Sequence, residues 1–345
     1  MPLPFRLGAP PSRDYAVFGK LPARADFLRV NASLPVAAEL DENLHGALAE
    51  MAQSPGWQEH YDRLPVMDLF WVSEQSGTAF LGAVIPSRDG SGRRYPLAAG
   101  LLLDSQEVRR LGALLPLAGE LLLNQVRHFL QVAVAGGADV PQLIEYLKFQ
   151  ASGKGHDFLD KDIINDIHAR FLAREPWPEL GLAFSREAPE AALRTALLHL
   201  LFHTYATPRG LGLGQRCATI PLLAEPGRSV LHTVGWLEIL QRLSTSSRTR
   251  SWDRQWLVRQ NAQRPRLLMH PGGPSGRQFA GMLLDDPAPD IQLNLLGGTT
   301  PWHHHPLFPE ISYRFDRFIE SKRRSMMDLL NFLEETGREF SSPNL

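Results

Sequence analysis

Three apolar runs separated by turn-forming residues constrain the fold of this chain most. The runs are Val66 to Ser73, Thr78 to Ile85 and Tyr95 to Leu103, and Ser76-Gly77 makes a hairpin-length turn between the first two. Pro, Asp, Gly, Ser and Arg residues fill the longer connection from residue 86 to residue 94. This pattern predicts a meander of three strands, because short apolar runs bounded by turn residues are typical of hairpin-connected strands.

Helical patterns before and after these strands predict layers on the faces of the sheet. The expected elements are a strand from Tyr15 to Lys20 and helices from Leu34 to Met51, around Trp57 and Tyr61, up to about Ala135 and from about Val140 to Gln150. We therefore expect residues 13–150 to form an α/β domain, a mixed sheet layered with helices in the manner of an αβα sandwich.

Residues 151–345 are predicted to form a second α/β region. The small, glycine-bearing stretch from Ala151 to Gly155 marks the expected boundary. Beyond it, strand patterns at residues 216–223, 266–270 and 291–296 alternate with helical patterns at residues 160–172, 189–203, 230–243 and 276–284. The region ends in a predicted amphipathic helix from about Tyr313 to Gly337. Residues 1–12 contain four prolines and are expected to be a disordered lead.

Charge and cysteine content limit the classes of function. Lysine and arginine total 36 against 37 aspartates and glutamates, so a net charge of -1 provides no field for nucleic-acid binding. Cys217 is the only cysteine, which excludes an intramolecular disulfide and favours a buried structural thiol. The stretch from Leu111 to Val134 is too polar to cross a membrane, and residues 1–12 lack the apolar run of a signal peptide. These features predict a cytoplasmic protein without membrane insertion.

Two motifs about seventy residues apart carry a family resemblance. The first is Phe18-Gly19-Lys20-Leu21-Pro22 followed by Asp26-Phe27, in which Ala25 replaces a glycine of the family pattern. The second follows the pattern Pro-Ser-x-Asp-x-x-Gly-Arg-x-x-Pro-Leu through Pro86, Ser87, Asp89, Gly92, Arg93, Pro96 and Leu97. In this order the motifs resemble the TagF (ImpM) family of type VI secretion accessory proteins. A weaker similarity lies in the turn from Gly272 to Ser275 before a helix.

The resemblance implies a non-enzymatic, cytoplasmic regulator of type VI secretion that needs no cofactor. It implies that the chain restrains the system after translation by binding its forkhead-associated scaffold protein. The residues that we predict to form the docking surface are Lys20, Asp26, Phe27, Arg88, Asp89, Arg93 and Arg94. We expect part of this set to be structural, with Asp26 or Asp89 paired to Arg93. The sequence leaves the oligomeric state open.

Two other functions stay open at this point. The loop from Arg88 to Arg94 combines glycines with three arginines, so it can form an anion-binding nest for a phosphorylated ligand, as in a nucleotide sensor or an enzyme. A role as a structural component of the secretion baseplate is the weaker possibility. A metal-dependent phosphatase is disfavoured, because no second acidic motif accompanies Asp89.

The remaining groups of chemically active residues favour structural roles, so no metal site is predicted. His303, His304 and His305 are consecutive and flanked by prolines, which favours an exposed loop over a metal site. His156, Asp157, Asp160, Asp162, Asp166 and His168 surround a helix start, where carboxylates favour the helix dipole. The glycine run from Gly210 to Gly214 lacks the spacing of a dinucleotide site.

Overall fold

The structure is a computed structural model. It describes residues 13–73, 75–136, 140–205, 216–225, 227–245, 255–260, 264–270, 274–284, 292–293, 295–296, 301–321 and 324–340. Residues 1–12, predicted to be a disordered lead, lie outside the described residues, as do the Gly210 to Gly214 run and Gly272 and Gly273.

The first five strands contain the predicted meander. They are β1 (Asp14–Gly19), β2 (Leu28–Val30), β3 (Met67–Val72), β4 (Ala79–Ile85) and β5 (Leu97–Leu103). β3 pairs with β4, β4 with β5 and β5 with β1, all antiparallel. The meander and the first strand are confirmed, whereas the three-residue β2 was not predicted.

Four further strands extend the same sheet. They are β6 (Cys217–Pro221), β7 (Gln255–Arg259), β8 (Arg266–His270) and β9 (Gln292–Leu293). Among the described strands the order is β2-β1-β5-β4-β3-β7-β8-β6-β9, and only the pairing of β6 with β9 is parallel. The sheet is therefore mixed, as predicted. β7 was not predicted, although it joins the two halves by pairing with β3, with Leu257 opposite Leu69.

Helices connect and cover the strands. Their bounds are α1 (Pro35–Met51), α2 (Trp57–Asp62), α3 (Ser105–Leu111), α4 (Leu115–Ala118), α5 (Glu120–Val134), α6 (Val140–Ala151), α7 (Lys161–Arg174), α8 (Pro189–Tyr205), α9 (Arg228–Thr245), α10 (Gly276–Leu283), α11 (Phe308–Glu320) and α12 (Met326–Phe340). Short 3-10 turns span Gly112–Leu114, Trp177–Ala183 and Pro301–His304.

Alternating side chains of the strands divide the apolar residues into two cores. In β1, Phe18 packs with α1 and α10 on one face, while Val17 packs with α5 and α6 on the other. Successive strand residues point to opposite faces, so a strand buried on both sides carries an almost continuous apolar run. With helices over both faces the fold is an α/β sandwich, which confirms the predicted fold class.

The two halves of the chain share this sheet. The expected boundary at residue 150 lies in the last turn of α6, whereas the described hydrogen-bonded ladder passes from β3 into β7. The core under α5 includes side chains from both halves, such as Leu123 and Val258. Described residues of both halves thus contribute to the core on this face of the sheet.

The prediction of a single helix from Tyr313 to Gly337 is wrong, because the chain forms α11 and then α12. α11 ends at Glu320, and the backbone of the next residue, Ser321, leaves helical angles (φ -90°, ψ 74°). Ser325 then caps the start of α12: its backbone N–H donates to Asp328 (2.8 Å), and the Asp328 N–H donates to the Ser325 hydroxyl (3.4 Å). The apolar period continues across the break, so it did not indicate the break.

None of the helices in the ranges given above combines the length and the apolar character that a membrane span requires.

Candidate docking surface

The two family motifs meet because β1 and β5 are neighbours. Gly19, at the end of β1, lies opposite Leu97 at the start of β5. Its φ is +130°, and a Cβ there would stand 2.0 Å from the carbonyl oxygen of Pro96. Only glycine fits such an approach at that backbone angle. The glycine of the first motif and the Pro-Leu of the second are therefore two sides of one contact.

Ser87, at the start of the second motif, forms hydrogen bonds with the first motif and with α2. Its hydroxyl donates to the backbone carbonyl of Lys20 at 2.7 Å. The hydroxyl of Tyr61 accepts from the Ser87 N–H at 3.0 Å and donates to the Ser87 carbonyl at 3.1 Å. Tyr61 and Ser87 are both buried, so this single hydroxyl satisfies both backbone polar groups of one buried residue.

Asp89 is the centre of the second motif. Its carboxylate is buried and accepts from the Ser91 hydroxyl (2.7 Å), the Ser91 and Arg93 amides (3.0 Å each) and the Arg93 Nε (2.7 Å). The Lys20 ammonium lies 2.9 Å away. These donors, the Ser91 hydroxyl first, hold the pKa of Asp89 far below its usual range. The expected pairing of Asp89 with Arg93 is confirmed.

The backbone amides of residues 90–93 in this loop all donate hydrogen bonds within the protein. The Ser91 and Arg93 amides point at Asp89, the Gly92 amide donates to the Asp89 carbonyl (2.9 Å) and the Gly90 amide to the Arg24 carbonyl (3.0 Å). The Ser91 and Arg93 amides converge on one anion, as in the nest that the glycines allow, but this anion is the carboxylate of Asp89 in the same loop.

Arg93 and Arg94 also make contacts that hold the loop in place. The second guanidinium arm of Arg93 reaches the carbonyl of Ala25 at 3.1 Å. Arg94 binds Asp62 of α2 through two hydrogen bonds of 2.9 and 2.6 Å, which lower the pKa of that carboxyl. Paired hydrogen bonds of this kind fix orientation as well as charge. The two arginines therefore tie the loop to the first motif and to α2.

Three charged side chains beside this frame point into solvent. Arg24, Asp26 and Arg88 are exposed, and none of their side chains makes a hydrogen bond or ion pair with the residues that the structure describes. Phe27 is half-buried against Tyr95, with ring centroids 4.9 Å apart. We call Arg24, Asp26, Phe27 and Arg88 the motif surface.

The structure brings all seven predicted docking residues to one region but separates them by their contacts. Asp26, Phe27 and Arg88 belong to the motif surface. The other four, Lys20, Asp89, Arg93 and Arg94, form the ion pairs beneath or beside it.

Sequence reasoning missed two buried tyrosines that support the site. Tyr61 holds Ser87, and Tyr95 donates to the carboxylate of Asp41 at 2.5 Å. Tyr61 was predicted from helical spacing with Trp57, which places its ring but says nothing of what its hydroxyl binds. Tyr95 lies between Arg93 and Pro96 of the second motif, and this position within the motif is the sequence signal that could have identified it.

Ala25 replaces glycine without backbone strain. Among the described non-glycine residues only Asn31 has a positive φ, at 53°. The carbonyl of Ala25 still accepts from Arg93. The departure from the family pattern therefore does not remove the contact between the two motifs.

The other candidate groups have structural surroundings. Cys217 is fully buried in β6, and burial raises the pKa of its thiol to about 12, as expected for a structural cysteine. His303 and His304 are exposed on a 3-10 turn, whereas His305 packs against Phe202 at 5.5 Å. Within the described residues no three His, Cys, Asp or Glu side chains are arranged to hold a metal ion.

The acidic cluster supports the neighbouring helices. Asp157 accepts from the hydroxyl of Tyr146 (2.8 Å) and from the side-chain amide of Gln150 (3.1 Å), both on α6. Asp162 lies in the first turn of α7, where a carboxylate favours the helix dipole. Asp160 precedes that helix without a capping hydrogen bond from its side chain. Of these three carboxylates, Asp162 thus has the predicted role at a helix start, whereas Asp157 binds α6 and the Asp160 side chain makes no cap.

Two comparisons with known proteins found a match. Residues 16–149 match the family model of the TagF N-terminal domain, described as type VI secretion system-associated. The crystal structure of PA0076 from Pseudomonas aeruginosa PAO1 is similar at 23% identity over 39% of this chain and 61% of that chain, with a TM-score of 0.34. This chain thus spans less than two thirds of that protein's length. Among curated proteins, none matches this chain.

Proposed function

Because residues 16–149 of this chain belong to the TagF family, which is type VI secretion system-associated, we propose that the protein is a non-enzymatic regulator that restrains this system. It acts in the cytoplasm by binding and sequestering the forkhead-associated scaffold protein of the system. The motif surface is the part of the chain that meets the scaffold.

One observation carries this proposal: the two family motifs build a hydrogen-bonded frame, and beside it the side chains of Arg24, Asp26 and Arg88 make no hydrogen bond or ion pair with a described residue. Charged groups without internal partners, held on a fixed backbone, set the register of a partner at little cost in conformational entropy. Phe27 adds an aromatic anchor of the kind that dominates interface energetics.

The phosphate-binding alternative is less favourable in this geometry. A phosphate in the loop from Arg88 to Arg94 would have to displace Asp89 from the Ser91 and Arg93 amides and from Lys20. It would then leave a buried carboxylate without its donors, and an unpaired buried charge is costly. The described loop thus offers a phosphate few free donors, which favours the docking role.

Isothermal titration against the purified scaffold, phosphorylated and unphosphorylated, tests the proposal. We expect wild-type protein to bind both forms with similar affinity, since the motif surface carries charges of both signs and no free anion nest. Arg88→Glu and Asp26→Lys, made singly, should each weaken binding by roughly tenfold or more, as loss of an interface anchor does. Arg170→Glu is the matched control, since Arg170 is an exposed arginine of α7.

Charge reversal of Arg93 and Arg94 is a poorer test, because both residues hold the loop through Asp89 and Asp62. If the scaffold binds wild type and Arg88→Glu equally in a folded protein, the docking surface lies elsewhere. If neither scaffold form binds wild type, the partner assignment fails.

A further inference from the structure

A cleft of about 360 Å³ lies on the opposite side of β3 from α1. It opens where the start of α5 meets β7 and the residues before α9. Its volume is within the range of small-molecule sites, about 300–1,000 Å³. Apolar walls come from Leu123, Trp256 and Val258. We call it the Glu120 cleft, after the acidic residue at the start of α5.

One acidic residue at the base of this cleft is already neutralised. Asp68, buried in β3, accepts from the guanidinium of Arg127 at 2.5 and 2.6 Å and from the side-chain amide of Gln260 at 2.6 Å. The other arm of Arg127 binds Asn124. The printed hydrogen bonds of the Arg127 guanidinium therefore go to Asp68 and Asn124, and Arg127 acts on Glu120 only through its charge.

Glu120 is the carboxylate that stays unpaired. Its side chain is half-buried in the cleft and makes no hydrogen bond or ion pair with any residue that the structure describes. Burial raises its pKa, and the nearby charge of Asp68 adds to that rise, whereas Arg127 opposes it. A partly desolvated carboxylate with two free oxygens is an acceptor that lacks a donor.

The charge of the cleft is negative overall. Its described lining contains the carboxylates of Asp68, Glu120 and Glu225 but a single guanidinium, that of Arg127. Glu225 is additionally bound to Arg228 at its outer edge (3.1 Å). A cation that enters the cleft therefore meets an attractive field, most strongly at Glu120.

We propose that the Glu120 cleft binds a guanidinium group carried on an aliphatic chain. The two free oxygens of Glu120 match the parallel N–H groups of a guanidinium, which forms paired hydrogen bonds with a carboxylate. The chain lies along Leu123, Trp256 and Val258, where apolar surface leaves water. The source of the group is either a free small molecule or an arginine side chain of a peptide, since both present the same chemistry.

Titration of the full-length chain with two probes separates these sources. The probes are agmatine, a free guanidine, and Nα-acetyl-L-arginine amide, which mimics an arginine within a peptide. We expect saturable binding of at least one probe with a dissociation constant below about 1 mM. The ureido analogue of agmatine, similar in shape but uncharged at the headgroup, should bind at least tenfold more weakly, because it lacks a charge-assisted hydrogen bond.

Glu120→Gln tests the assigned acceptor. It keeps the side-chain size and removes the charge, so agmatine or the arginine amide should bind at least about tenfold more weakly. The matched control is Glu145→Gln, an exposed glutamate of α6 outside the cleft, which should leave the affinity unchanged.

If agmatine binds and the arginine amide does not, the source of the guanidinium group is a free small molecule. If the arginine amide binds more tightly than agmatine, the source is an arginine of a peptide. Equal binding by wild type and Glu120→Gln, or no saturable binding of either probe, overturns the proposal. The comparison with the ureido analogue uses only wild-type protein, so it decides the question even if the variant does not fold. No outcome of these titrations bears on scaffold binding.

Discussion

Gly19→Ala tests the inference that the two motifs are one contact. The methyl group would lie 2.0 Å from the Pro96 oxygen, 2.8 Å from the Leu97 Cα and 2.9 Å from the Pro96 carbonyl carbon. All three atoms belong to the backbone, so no side-chain rotation can relieve the overlap. β1 and β5 would have to separate at the point where their ladder begins.

The expected cost has two parts. A non-glycine residue at a φ of +130° is strained by roughly 1–3 kcal/mol. Separation of the strands by about 1 Å weakens at least one or two ladder hydrogen bonds, each contributing about 0.5–1.5 kcal/mol. We therefore expect Gly19→Ala to lower the free energy of unfolding by about 2–5 kcal/mol.

Urea denaturation followed by circular dichroism measures this loss, and two other glycines serve as controls. Gly92 has a φ of +84°, and a methyl group added there would have no atom within 4 Å, so Gly92→Ala should cost only the backbone strain, about 1–2 kcal/mol. Gly46 lies inside α1, where its added methyl group would meet Gly276 at an ordinary 3.6 Å. Gly46→Ala should be neutral or stabilising by up to about 1 kcal/mol. A midpoint for Gly19→Ala equal to that for Gly92→Ala would refute the close-contact argument.

Two further predictions concern buried polar groups. Tyr61→Phe removes the hydroxyl that bonds to both backbone polar groups of Ser87. Because a buried amide then loses its acceptor, the free energy of unfolding should fall by about 1–3 kcal/mol in the same denaturation assay. An unchanged urea midpoint would contradict this prediction. Burial lowers the pKa of His232 more than its contact with Glu175 raises it. As the pH falls, His232 therefore becomes protonated in the unfolded chain before it does so in the folded protein. The free energy of unfolding should decrease as the pH drops below 6.5, the ordinary pKa of histidine. His232→Leu should show a smaller fall between about pH 7 and pH 5 in thermal melts, and an identical slope would exclude the assignment.

The sequence predicted the strands and helices that are marked by residue patterns within or next to them. β3, β4 and β5 are apolar runs bounded by Ser, Gly and Pro, so both their existence and their meander order follow from nearby residues. β7 escaped prediction because it begins and ends with the polar residues Gln255 and Arg259, which are buried, so that only three apolar residues mark it in the sequence. Its pairing with β3 joins residues almost two hundred positions apart, which no local pattern encodes.

The same distinction applies to the candidate site. Asp89 and Arg93 lie four residues apart, and their pairing was expected from the loop alone. Lys20 was predicted to be part of the docking surface, and its side chain, 15% exposed, pairs with Asp89. This contact depends on the adjacency of β1 and β5, and only the folded sheet reveals it.

The contacts of the two proposed sites come from different parts of the chain. The motif loop is held by Lys20, Arg24, Ala25, Tyr61 and Asp62, all within the residues that match the TagF N-terminal domain. The Glu120 cleft instead needs Trp256 and Gln260 from beyond that range. Because the described sites share no hydrogen-bond partner, the effects of Arg88→Glu and Glu120→Gln on scaffold binding and guanidine binding should be independent in the double variant. Energetic coupling between the two variants would require a path through β3. Asp68 of β3 belongs to the cleft, and β4, the antiparallel neighbour of β3, leads into the motif loop.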